Sequence, residues 1–403
     1  MKYIVVLADG MADEPIDSLG GKTPLEYANT PMMDSLASRG QMGVVKTVPY
    51  GMKPGSDVAN LSVLGYDPTS NYSGRSPLEA LSVGVPMANE DVIFRCNLVT
   101  LTEEGVYADK RILDHSSGEI STEDADILMD AIRQTFTTEF FSFYTGTSYR
   151  QIAVWRNGRI LDLEPPHDHL GERIGQFLPQ NDVLRRVMSN SFDILNDHPI
   201  NIRRKEQGLN KANSLWFWGA GTKPDLCNFQ VKTGLSGAMI SAVDLLKGIA
   251  VGIGMEVIHV PGATGSLHTN YCGKAQAATD ALLNKGHDFV YVHVEAPDEM
   301  GHQGSVSDKI RSIEYIDEQI IAPILQTMDS SEEVYRILVL PDHPTPIRLR
   351  THTADPVPYL IFDSRYQDCK IAYFSESEAE KTGNYIADGY TLIEKLIGGL
   401  NHG

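Results

Sequence analysis

Short runs of apolar and β-branched residues recur along the chain at 3–7, 256–260, 289–294, 336–340 and 358–362. Runs without polar alternation are the pattern of strands buried on both faces, as in a parallel sheet. Apolar positions at helical spacing lie between or beside them, over 31–39, 273–283 and 308–328. The alternation predicts an α/β fold, a mostly parallel sheet with flanking helices. One strand opens the chain, and the other four follow residue 255. The stretch between has another texture. Its segments are shorter and rich in aromatic and polar residues, such as 140–144 and 151–155, and loop-like runs such as Glu164-Pro165-Pro166-His167-Asp168-His169 interrupt them. It predicts an inserted α+β domain at 73–248, within a sheet domain made of 1–72 and 249–403. At roughly 100–200 residues per domain, a chain of 403 residues fits two or three domains.

Apolar content of 42% and charged content of 22% are ordinary for a globular protein. The net charge of −19, with no Lys/Arg block, argues against a nucleic acid or an anionic membrane as partner. It also means that an anionic substrate needs a local pocket of positive charge. The four cysteines, Cys96, Cys227, Cys272 and Cys369, are scattered without CxxC spacing and read as reduced thiols. The N-terminal apolar run stops at Asp9, with no signal-peptide pattern after it. The longest apolar tract, 238–260, holds Asp244, Lys247 and Glu256, which disqualifies it as a membrane span. A soluble, cytoplasmic protein is expected, free to form a homo-oligomer.

The chemistry lies where the strands end. The first runs into Leu7-Ala8-Asp9-Gly10, another through Val294-Glu295 into Pro297-Asp298, and a third into Leu340-Pro341-Asp342-His343. Open α/β sheets bind ligands beyond the carboxyl ends of their strands. Three aspartates gathered there repel one another unless cations sit between them. His302 follows Asp298 by four residues, His343 follows Asp342 directly, and His352 lies nine further on. Mixed Asp/His sets suit Zn²⁺, Mn²⁺ and similar ions. A lone aspartate at a strand end is more often a helix cap, and a lone histidine is more often structural. His293, inside a strand, reads as structural. The conjunction of Asp9, Asp298, His302, Asp342, His343 and His352 favours metal ligation.

The nucleophile is read from Pro54-Gly55-Ser56-Asp57-Val58-Ala59-Asn60-Leu61. Pro-Gly makes a turn, and Ser56 stands where a helix starts. Alone, the serine would read as an N-cap. A helix N-terminus also offers N–H groups and positive dipole character to a phosphate, and a metal on the hydroxyl would activate it. No nucleotide cofactor is expected. Gly20-Gly21-Lys22-Thr23 lacks the first P-loop glycine, since position 16 is Ile16, and Gly252-Ile253-Gly254 follows a helical tract instead of a strand.

These residues, with the block Gly55-Ser56-Asp57-Val58-Ala59-Asn60-Leu61-Ser62-Val63-Leu64-Gly65-Tyr66-Asp67-Pro68 and the runs Ala296-Pro297-Asp298-Glu299-Met300-Gly301-His302 and Arg350-Thr351-His352-Thr353, resemble the archaeal-type cofactor-independent phosphoglycerate mutases. That family belongs to the alkaline phosphatase-like metalloenzymes, and the resemblance covers nearly the whole chain. It implies two divalent metal ions, with Mn²⁺ foremost and Zn²⁺ or Mg²⁺ as alternatives. Asp9, Ser56, Asp342 and His343 would face one ion, and Asp298, His302 and His352 the other. It further implies a small phosphorylated substrate, phosphoglycerate, whose phosphoryl group passes through Ser56 while the inserted domain closes over it. Arg75, Arg95 and Arg150 are then candidates for the positive pocket, and His115, His167 and Asp168 for contacts with the glycerate. The run Asp114-His115-Ser116-Ser117-Gly118 lacks the arginines often found there. The block from Met52 to Asn60 is similar to a bacterial branch proposed to act in homoserine phosphorylation. The leading expectation is a phosphoglycerate mutase. A homoserine phosphotransferase is the alternative, followed by a phosphatase and an inactive binding protein on the same scaffold.

Overall fold

The computed structural model describes residues 1–366 and 372–398. The chain divides into two compact units, Met1–Tyr72 with Asp225–Gly403, and Ser73–Pro224. Strands β1 (Lys2–Ala8) and β2 (Gln41–Val45) precede the second unit. That unit carries β3 (Val92–Leu101), β4 (Ile112–Asp114), β5 (Phe141–Thr147), β6 (Arg150–Trp155) and β7 (Ser214–Thr222). The first unit resumes with β8 (Gly237–Ile240), β9 (Glu256–Val257), β10 (Phe289–Val294), β11 (Tyr335–Leu340), β12 (Val357–Asp363) and β13 (Tyr385–Ile386).

The first unit is an α/β layer structure around one sheet in the order β13-β2-β12-β11-β1-β10-β8-β9. β1 is central because it is apolar along its length and can be buried on both faces. It pairs in parallel with β10 on one side and β11 on the other. Its core draws on Ile4, Val6, Val290, Val292, Ile337 and Val339 from the strands, with Ala275, Ala278 and Leu282 from the helix Tyr271–Leu283.

Several expectations need correction. The run 358–362 lies in β12, which is antiparallel to β11. Residues 341–356 between them form no helix, and a parallel return would need a crossover of the kind helices provide. The run 256–260 yields only the short β9, because the chain turns at Pro261, where Ala263 N–H donates to the Val260 carbonyl. The single helix expected over 308–328 is Val306–Ile316 and Ala322–Asp329, joined by a π turn, Asp317–Ile321. Pro323 has no N–H and crowds the preceding turn, and the wider turn accommodates it. The second unit ends at Pro224 instead of residue 248. Residues 225–248 include β8, which pairs with β10 in the large sheet, so they belong to the first unit.

The second unit is built on an antiparallel sheet in which β3 pairs with β4, β6 and β7, and β6 pairs with β5. Val92, Phe94, Cys96 and Leu98 of β3 share a core with the helices Thr122–Phe136 and Asp182–Leu195. Alternation along β3 turns Ile93, Arg95 and Asn97 to the opposite face. Cys96 is a buried free thiol, Cys227 and Cys272 are exposed ones, and Cys369 lies outside the described residues. No described helix is long and apolar enough to cross a membrane.

Candidate active site

β11, β1, β10 and β8 are neighbours and run parallel, so their carboxyl ends open at one edge of the sheet. Asp9 is the first residue after β1, and Asp342 is the second after β11. Glu295 follows β10 and leads into the helix Ala296–Gln303, which carries Asp298 and His302 one turn apart on one face. His352 comes from the β11–β12 loop. Beside it, Arg350 has φ 56°, a left-handed conformation unusual for a residue with a side chain, and its carbonyl accepts from His302 Nδ1 at 2.9 Å. That bond aims His302 Nε2 into the site.

Two sets of donor atoms form trios, Asp9 with Asp342 and His343, and Asp298 with His343 and His352. Within each trio the donor atoms lie within 4.8 Å of one another. His343 stands in both, whereas the resemblance assigns it to the first ion alone. His302 is in neither trio, yet its Nε2 lies 3.2 Å from Asp298 Oδ2 and 3.0 Å from His352 Nε2. Ser56 is the first residue of the helix Ser56–Val63, with Gly55 in the capping position. Its hydroxyl makes no cap. It lies 3.2 Å from His343 Nε2 and 3.4 Å from Asp9 Oδ2. The structure thus brings together Asp9, Ser56, Asp298, His302, Asp342, His343 and His352.

The electrostatics of this cluster fit a divalent cation. Burial, then the nearby carboxylates of Asp342 and Asp298, push the Asp9 carboxyl well above its usual range. Burial would also raise Asp298, but hydrogen bonds with His302 and His352 outweigh it and hold that carboxyl well below the usual range. The same bond to Asp298 raises His302 to about 9, while burial lowers His343. Asp9 Oδ1 is buried without a hydrogen-bond partner. An orphaned carboxylate oxygen facing two more carboxylates and imidazole nitrogens is the donor arrangement of an O/N metal site.

Neutral residues hold the carboxylates in place, and the sequence did not single them out for this. Asn60 Nδ2 donates to Asp342 Oδ2 at 2.9 Å and to the Ser56 carbonyl at 2.8 Å, and Asn60 Oδ1 accepts from the Tyr291 hydroxyl at 2.6 Å. Thr345 Oγ1 donates to Asp298 Oδ1. The Thr345 carbonyl in turn accepts from the buried Lys309 Nζ, which pairs with Asp13 at 2.7 Å. His293, expected to be structural, touches Asp9 Oδ2 through Nε2 at 2.9 Å. Burial and the nearby Lys274 lower this imidazole to about 3, and burial lowers the Lys274 ammonium to about 8.

The remaining candidates gather within the second unit. Arg95 and Arg75 both bond Glu79 Oε1, at 2.8 and 2.9 Å, and the Arg95 guanidinium lies over the Trp218 ring at 4.8 Å. Burial lowers the Arg95 pKa; the charge of Glu79 opposes that shift, while those of Arg75 and Arg150 add to it. Arg150 packs on Tyr149, which meets His115, and His115 meets His167 with ring centres 5.9 Å apart. His167 packs edge-on against Trp218 and lies 3.7 Å from Asp168. Arg75, Arg95, His115, Arg150, His167 and Asp168 therefore form one charged and aromatic cluster. Its histidines and arginines suit a small anion.

A model of the family described as 2,3-bisphosphoglycerate-independent phosphoglycerate mutase matches residues 37–201. The chain is 49% identical to the 2,3-bisphosphoglycerate-independent phosphoglycerate mutase of Methanosarcina acetivorans, over 99% of each chain. A solved structure from Pyrococcus horikoshii superposes with a TM-score of 0.82 at 32% identity, covering 100% of this chain and 99% of the other. The cofactor-independent phosphoglycerate mutase of Thermoplasma acidophilum gives 0.66 at 28% identity, with 99% of each chain covered.

Proposed function

Because the chain belongs to the 2,3-bisphosphoglycerate-independent phosphoglycerate mutase family, we propose that it interconverts 2- and 3-phosphoglycerate through a phosphorylated Ser56. The observation that carries this reading is the Ser56 hydroxyl at a helix start, beside both Asp9 and His343. Asp9, Asp342 and His343 would hold one divalent ion, with Ser56 beside it, and Asp298, His302 and His352 a second. The mixed oxygen and nitrogen set suits Mn²⁺. When bound, such ions polarise phosphoryl oxygens and lower the pKa of a bound hydroxyl.

Ser56 Oγ gives up its proton and attacks the phosphorus; the bond from phosphorus to the substrate's oxygen breaks, and that oxygen takes up a proton as a glycerate hydroxyl. The reverse step returns the group to the other hydroxyl of the same glycerate. The N-terminus of Ser56–Val63 favours the phosphate by its dipole. We assign recognition of the glycerate to Arg75, Arg95, Arg150, His115, His167 and Asp168. A mutase must keep water from the phosphoserine, a task we assign to the second unit. Scattered free thiols support a reducing, cytoplasmic setting. The homoserine phosphotransferase alternative gains no support from the relatives described above.

Protein loaded with Mn²⁺ is expected to interconvert 3- and 2-phosphoglycerate without added bisphosphoglycerate, and Ser56→Ala to abolish turnover. Absence of turnover with Mn²⁺, Zn²⁺ and Mg²⁺ alike would sink the proposal. Phosphate release exceeding isomer formation would favour a phosphatase.

A further inference from the structure

We infer that His293 is a positioning residue, which fixes Asp9 as a one-oxygen metal ligand and thereby sets metal affinity. The inference rests on Asp9 being a ligand, as proposed above. Its basis is the register of three adjacent strands. On β10, His293 is paired with Leu7 of β1, and Asp9 lies two residues beyond Leu7, so it projects to the same face. On the other side Val292 pairs with Ile240 of β8, which brings Ser241 level with His293.

The imidazole is fully buried and bonded at both nitrogens, to Asp9 Oδ2 at 2.9 Å and to Ser241 Oγ at 3.2 Å. As a metal ligand Asp9 is ionised and only accepts, so Nε2 carries the proton and Nδ1 accepts from the Ser241 hydroxyl. Ser241 Oγ also accepts from Val243 N–H at 3.0 Å, which fixes the hydroxyl in the donor orientation. Lys274 Nζ, itself buried, anchors the His293 carbonyl at 2.8 Å. The backbone and both ring nitrogens are therefore held.

The consequence falls on Asp9. Its Oδ2 accepts from His293 and faces Ser56, while Oδ1 has no hydrogen-bond partner. A two-oxygen grip would have to break the contacts that Oδ2 makes with His293 and Ser56. One oxygen is left for the cation. Groups that orient a ligand in this way are commonly worth about 10–100-fold in metal affinity.

The test uses the full-length protein and Mn²⁺ titrated by calorimetry. His293→Asn keeps a group at the Nδ1 position but cannot reach Asp9, whereas His293→Gln places an amide N–H at the Nε2 position. We expect the Asn variant to lose about 10–100-fold at one of two sites and the Gln variant to stay within a few-fold of the parent. Equal melting of the metal-free Gln and Asn variants would separate this from a merely structural loss. If the parent binds Mn²⁺ and His293→Asn binds it equally well, the inference falls and the metal-site reading stands. If the parent binds no Mn²⁺, that reading falls first. Should His293→Asn fail to fold, Ser241→Ala takes its place: reduced affinity upholds the inference and unchanged affinity overturns it.

Discussion

Gly10 follows Asp9 with φ +62°, and its N–H donates to Asp342 Oδ1 at 3.1 Å. A Cβ built there would lie 2.5 Å from Thr345 Oγ1 and 2.7 Å from both the Cα and Oδ1 of Asp298. The backbone conformation and the lack of space both require glycine. Gly10→Ala is expected to cost about 3 kcal/mol of stability and to weaken Mn²⁺ binding, read by denaturant melts and calorimetry. An unchanged midpoint with full metal affinity would contradict it. The metal-site candidates were legible because charged residues at strand ends break an apolar pattern. Asn60, Thr345 and Ser241 were not legible as supports, since neutral polar residues fit a helix or loop equally well. Their bonds also join positions far apart in the chain, such as Asn60 to Asp342. His293 was visible as a buried strand residue, but its contact with Asp9 was not, because strand pairing and not sequence distance sets it.

At the scale of elements, β11 and β12 are clamped by a buried ion pair between Arg336 Nε and Asp363 Oδ2 at 2.6 Å. Arg336 also donates to the carbonyls of Leu396 and Ile397, tying the C-terminal helix Leu392–Gly398 to the sheet. Burial opposes ionisation of Asp363, but hydrogen bonds from Arg365 and Arg336 outweigh it and bring the carboxyl down to about 2. Its pKa in the unfolded chain is about 3.9, so folding favours the ionised form. That stability is present above about pH 4 and is lost as pH falls toward 2. Asp363→Asn is expected to cost about 3 kcal/mol at neutral pH and to flatten the acid unfolding curve between pH 4 and 2. An Asn variant with the parent's acid profile would refute this. The central strands β1, β10 and β11 were readable as unbroken apolar runs. β2 holds Gln41 and Gly43, while β9 and β13 have two residues each, too little pattern to read. The direction of β12 depends on a loop path that hydropathy does not encode.

At the scale of the molecule, the main core of the first unit and that of the second share no residues. The candidate cation site belongs to the first unit, where carboxylates repel in the absence of a cation. Removing metal with EDTA is therefore expected to lower the stability of the first unit only, by about 2.7 kcal/mol for each ion that had been present at a hundred times its Kd. The fragment 73–224 should fold alone and melt at the same temperature with or without EDTA. Calorimetry of the full chain and the fragment checks both, and a fragment that fails to fold would overturn the claim of independent cores. Two textures of sequence made this division visible. Its second boundary was not, because β8 is too short to mark where the large sheet resumes.

The central place of β1 also has a consequence for synthesis. Its partners, β10 and β11, begin at Phe289 and Tyr335. At about 5–20 residues per second, the first strand leaves the ribosome roughly fifteen seconds to a minute before either neighbour exists. The second unit is complete well before then and can fold in the interval. Until residue 289 emerges, an apolar strand with both edges open is exposed in the growing chain, so a nascent-chain chaperone should find its binding site at residues 2–8.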